Sequence, residues 1–130
     1  MSFRIIQFED LDVFFKEDEN NISIFFENAF IKKTMDDAEE KTLWNQSGSI
    51  ELRGVTKKNN SIPKRLKILS INISYDFYTY KNILILPFLK RGDIELKLNE
   101  SKENLNINCC EIEILLSDQP KYIKHIKKKE

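Results

Sequence analysis

The chain has 130 residues, 41% hydrophobic and 32% charged, with 21 basic and 21 acidic side chains. That length makes one domain, large enough to bury a core without disulfides or metals. The charge balance excludes a global field of the kind that draws a protein to nucleic acid or to an anionic membrane. The distribution is less even than the total, with 8 basic and 12 acidic residues in 1–60 and 13 and 9 in 61–130. Five lysines and one glutamate fall in the last ten residues, so the reading is a single β domain over 1–120 followed by a basic tail over 121–130.

The amino terminus carries acids within its first ten positions, and nothing in the chain approaches the run of about 18 apolar residues that a membrane span needs. Cys109 and Cys110 are adjacent, and neighbours in a strand point to opposite faces, so a disulfide between them would be strained. These features give the expectation of a cytoplasmic protein in a reducing compartment, with no membrane or nucleic-acid partner. Five Asn-x-Ser sequons occur. In a chain this rich in asparagine and serine they read as accidental matches.

In chain order, Phe3–Phe8 and Leu11–Phe15 read as short strands. The acidic run from Lys16 to Asn21 reads as a connection. Ile22, Ile24 and Phe26 alternate as a strand that continues either through a Glu27-Asn28 turn into Ala29–Lys33 or as one long bent strand. Residues 34–42 are the one place where a short surface helix is attractive, with Thr34 as N-cap and acids in the first turn. Asn45 to Gly48 offers turn chemistry before a strand at Ile50 and Leu52, and 56–65 is the most loop-like segment.

From Leu66 to Leu89 lies the longest stretch with one backbone period. Leu69, Ile71, Ile73, Tyr75 and Phe77 share one parity, which predicts a strand with that face on the core. Lys81-Asn82 then turns into Ile83–Leu86, apolar on both faces and therefore either covered on both sides or lining an interface. Lys90 to Asp93 reads as a turn built around Gly92. Ile94, Leu96 and Leu98 form a clean amphipathic strand. In Leu105–Leu116 the apolar parity slips at Cys109-Cys110, which predicts a β-bulge. The whole is an all-β, mainly antiparallel domain, a sandwich or small barrel of about eight to ten short strands with at most one short helix near 34–42.

Few residues carry chemistry. The single histidine, His125, lies in the lysine-rich tail, where a general base rarely has a fixed position, and two adjacent cysteines cannot complete a zinc site. The acidic runs lack the alternating ligands and glycine of a calcium loop. No catalytic, cofactor or metal residue is therefore expected, and the chain reads as a non-enzyme. Tyr78 and Tyr80 share the polar parity of their stretch with Asp76. Amphipathic aromatics at a strand end are anchors that interfaces favour, although the same tyrosines would also serve to cover the rim of the core. Asp76, Tyr78 and Tyr80, together with Glu17, Asp18 and Glu19 as an attractor for a basic partner, are the partner-binding candidates. The expected function is a small binding domain, immunity- or adaptor-like, that engages a protein as monomer or homodimer. A small-ligand or carbohydrate binder is the alternative, and a hydrolase with paired carboxylates the third reading.

Overall fold

The computed structural model describes residues 4–34, 41–100 and 103–126. Within them the chain is all β, as expected, with β1 (Arg4–Gln7), β2 (Leu11–Asp18), β3 (Asn21–Thr34), β4 (Lys41–Arg53), β5 (Lys57–Lys58), β6 (Arg65–Ile68), β7 (Ser70–Tyr75), β8 (Tyr78–Lys81), β9 (Ile83–Leu86), β10 (Leu89–Asn99), β11 (Asn104–Leu116) and β12 (Lys121–Ile126). They join in one antiparallel sheet, ordered β6-β2-β3-β4-β11-β10-β7-β8 and curled into a half-barrel, with β1 added to β3, β12 to β4, β5 to β11 and β9 to β1.

The β3–β4 hairpin is the spine. Its ladder runs from Ile22 opposite Leu52 to Thr34 opposite Lys41 and is broken once, where Glu27 and Asn28 face the single residue Ser47. This bulge takes the left-handed conformation at Asn28 (φ 56°), and the Asn28 amide donates to Ser47 Oγ at 3.2 Å. The extra residue also resets parity. Ile22, Ile24 and Phe26 before it and Ala29 and Ile31 after it all face the core. Of the two readings of this segment, one long bent strand is the observed one. The bend lets β3 take β2 as neighbour along its first half and β1 along its second. In the same way β4 takes β11 along one half and β12 along the other.

Two expectations about turns are corrected, and the expected acidic connection from Lys16 to Asn21 shortens to Glu19-Asn20, since Lys16 to Asp18 extend β2 and Asn21 opens β3. Asn45 to Gly48 lies inside β4, where a Cβ on Gly48 would come within 2.1 Å of the Leu115 carbonyl oxygen, so the glycine serves a close approach of β4 and β11. Lys90 to Asp93 lies inside β10, where Gly92 and Asp93 oppose the single residue Cys110. Gly92 sits at φ 140° there, so it serves a bulge. Thr34 ends β3 and Lys41 and Thr42 open β4, while residues 35–40 of the expected helix lie outside the described ones.

The long 66–89 stretch divides into β6, β7, β8 and β9. β6 pairs with β2, but after Leu69 the chain pairs with β10, so it leaves one margin of the curled sheet and enters the other. Leu69 is the crossing point, bonded through its amide to Asn99 and through its carbonyl to Asp10, and its side chain is 42% exposed. Ile71 and Ile73 are buried as their alternation predicts, whereas Phe77 is fully exposed. Leu84 and Leu86 of β9 face the core and Ile83 and Ile85 face water, so only one side of that strand is covered.

The core is filled by the alternating residues of these strands, including Ile6, Ile24, Ile50, Leu52, Ile73, Leu96 and Leu98, with Phe8 packed edge-on against Phe26 at 5.2 Å between centroids. The parity slip in β11 is present, since Cys109 and Ile112 are buried while Cys110 between them is exposed. Of the segment set apart as a basic tail, Lys121–Ile126 forms β12 on β4, and Tyr122 meets Trp44 edge-on.

Candidate functional site

The β7–β8 hairpin holds the tyrosine candidates. β7 ends at Tyr75, and Asp76 and Phe77 make a two-residue turn in which Asp76 adopts φ 53°, a conformation that a short polar side chain tolerates. Tyr78 then pairs with Tyr75 and Tyr80 with Ile73. Directly opposed residues of an antiparallel pair share a face, so both tyrosines lie on the core side of the sheet, and not on the water side that counting by twos from Asp76 implies. Tyr80 is half-buried and packs edge-on against Phe88 at 5.3 Å. Tyr78 remains 66% exposed and Phe77 102% exposed at the tip. Lys90 Nζ lies 5.8 Å from the ring centroids of both Tyr75 and Phe88, which adds a cation–π contact beneath the hairpin.

Glu17 and Asp18 close β2, and Glu19 with Asn20 turns the chain into β3, with Glu19 at φ 54°. The Glu17 carboxylate is already engaged by Lys58 Nζ at 2.9 Å, while Asp18 and Glu19 make no ion pair with another described residue. Successive bonds across the sheet, from Val55 to Asn20, from Cys110 to Gly54 and from Ile94 to Cys109 and Tyr75, put this acidic turn at the same end as the tyrosine hairpin. Four strands stand between β2 and β7. At about 4.8 Å per strand that is a path of roughly 24 Å along the curled sheet.

The outer face carries aromatic residues that the sequence reading passed over. Phe14 and Phe25 are cross-strand partners whose rings stack at 5.0 Å and 20°. Phe30, after the bulge, lies in register with Gln7 and through it with Ile83, while Ile5 lies between Lys32 and Ile85. The signal for the first pair was present in the doublets Phe14-Phe15 and Phe25-Phe26. Adjacent phenylalanines in a strand must point one ring outward. Beside these residues an open groove of about 1100 Å³ lies where the chain turns from β1 to β2, lined among others by Asp12, Phe14, Glu27, Phe30 and Lys67.

Near the β10 bulge the outer face is ionic. Arg53 bonds Glu111 and, at 2.9 Å, Glu113, and Arg91 Nε reaches Glu111 at 2.6 Å. The hydrogen bonds from Arg91 and Arg53 hold the Glu111 carboxyl below the ordinary carboxylate range. This cluster ties β4, β11 and β10 together. Burial pushes the Cys109 thiol up to about 11, and Cys110 is exposed. Folded protein treated with iodoacetamide at pH 8 is therefore expected to take up one equivalent per chain, read by intact mass, and Cys110→Ser is expected to take up none. Two equivalents in the folded state would contradict the burial of Cys109. His125 pairs with Thr42 in β12, and the described residues contain no group of three or more His, Cys, Asp or Glu arranged to hold a metal.

No helix among the described residues is long and apolar enough to cross a membrane. Comparison with known protein families, with curated proteins and with solved structures finds no match to the chain.

Proposed function

We propose that the chain is a non-enzymatic, cytoplasmic protein-binding domain of the immunity or adaptor kind, which engages its partner through the β7–β8 hairpin. The observation that carries this reading is the full exposure of Phe77 beside Tyr78. The turn itself asks only for a residue that tolerates positive φ at position 76, and a phenyl ring held in water at its tip adds nothing to the core. Aromatic side chains lose little rotamer freedom on binding and fill partner pockets, which is why they dominate interface energetics. Tyr80, packed on Phe88, holds the hairpin from below, and Asp76 sets its turn. Asp18 and Glu19, at the same end of the sheet, would speed the approach of a basic partner more than they would tighten its grip.

The test is recovery of partners from the native cell with a Phe77→Ser/Tyr78→Ser variant. Because neither side chain supports the fold, its thermal midpoint is expected to stay within about 3 °C of the unmodified chain. Partner recovery is expected to fall by about tenfold or more. Recovery of every partner at the original level would remove the hairpin from the interface.

A further inference from the structure

The β1–β2 groove lies along the edge of β3 that faces away from β4. β1 and β2 pair with the same edge of β3 on either side of its bulge, so a gap opens between Gln7 and Leu11 beside Glu27 and Asn28. Phe14 and Phe30, 45% and 48% exposed, supply apolar walls. Phe25 stacks against Phe14 and keeps that ring from folding flat over its neighbour. The result is a concave, aromatic-lined surface held by sheet pairing, which is the rigidity that a docking site requires.

Its charge selects the occupant. Glu9, Asp10, Asp12 and Glu27 line the groove against the two cations Arg65 and Lys67. None of these six groups forms an ion pair with another described residue. Glu9 and Asp10 lie on the β1–β2 corner and Glu27 on the bulge, while Asp12 of β2 stands directly opposite Lys67 and Phe14 opposite Arg65, so acids outnumber cations and the corner and bulge are the negative part of the groove. A phosphate backbone would meet the larger number of carboxylates, which disfavours nucleic acid.

We propose that this groove docks a short segment of a partner protein in which lysine or arginine side chains flank an apolar one. The apolar side chain packs between Phe14 and Phe30, and the basic side chains lie over the corner, turned away from Arg65 and Lys67. The inference rests on the protein-binding reading but uses side chains that the hairpin does not.

The test is a titration of the ¹⁵N-labelled full chain with three synthetic decapeptides of alternating lysine and leucine, glutamate and leucine, and lysine and serine. The lysine–leucine peptide is expected to shift the amide resonances of residues 9–14 and 27–30, to leave 76–80 unmoved, and to bind about tenfold tighter than either of the others. Asp12→Asn/Glu27→Gln and Phe14→Ser/Phe30→Ser are each expected to weaken it by about fivefold or more, with the thermal midpoint within a few degrees of the unmodified chain. Shifts spread over Glu17–Glu19 as strongly as over the groove, equal affinity for the glutamate–leucine peptide, or unchanged affinity in both variants would overturn the proposal. So would sedimentation of the free chain as a dimer that Phe14→Ser/Phe30→Ser dissociates, because the groove would then be occupied by a second copy. Any of these results leaves the hairpin reading standing, since Phe77→Ser/Tyr78→Ser is scored by partner recovery.

Discussion

Gly48→Ala is expected to lower the thermal midpoint of the chain by roughly 10 °C. A Cβ on residue 48 would stand 2.1 Å from the Leu115 carbonyl oxygen and 3.0 Å from the Leu116 Cα. Both obstacles are backbone, so neither can rotate away as the far end of a side chain would. To admit the methyl group, β4 and β11 must separate at the Leu116–Gly48 rung and strain the Ile114–Ile50 rung beside it. Overpacking ordinarily costs about 1–3 kcal/mol, and the absence of a yielding neighbour places this case at the top of that range. Urea unfolding should show the midpoint falling with the slope unchanged, the mark of lost stability without a change in the denatured state. A thermal shift below about 3 °C would mean that the two strands do not approach so closely.

The doublet Phe25-Phe26 provides the second large effect, as a contrast between neighbours. Phe26 is 2% exposed and packs edge-on against Phe8, so Phe26→Ala is expected to cost about 3–5 kcal/mol through lost transfer energy and the cavity left behind. Phe25 points to the other face, half in water, where its main contact is the stack with Phe14. Phe25→Ala is expected to cost no more than about 1.5 kcal/mol, the scale of an aromatic pair. Urea titration of both variants measures the difference directly. Equal costs would contradict the parity of β3 ahead of its bulge and, with it, the outward aromatic surface on which the groove depends.

Where alternation was strict and uninterrupted, side-chain direction was legible from sequence. Ile94, Leu96 and Leu98 are buried as a set, and the slip from Cys109 to Ile112 marks an irregularity whose extra residue lies not in β11 but in its partner β10, where Gly92 and Asp93 oppose Cys110. The errors share one physical origin. Asn, Ser and Gly were read as ends of strands, yet Ser47 and Gly48 sit within β4 and Gly92 within β10, because a bulge or a close approach asks for the same small or polar residues as a turn. The candidate site suffered from the same ambiguity. Alternation treats position 76 as one more step of a strand, and since it begins a two-residue turn, Tyr78 and Tyr80 change sides. Phe77, counted inward by the same arithmetic, emerges as the most exposed apolar side chain of the hairpin. The partnership of Phe14 with Phe25 needed the β2–β3 register, which hydrophobic period alone does not supply.

The curled sheet does not close on itself, and several strands keep an unpaired margin. β5 carries Lys57 and Lys58, β6 carries Arg65 and Lys67, β8 carries Lys81, and β12 carries Lys121 and Lys124, while β9 runs directly into Pro87. Long cationic side chains and proline are the devices by which open margins resist adding a strand from another molecule. These cations and Pro87 form a gatekeeping pattern, set by where the sheet stops, which opposes assembly of the protein edge to edge with itself.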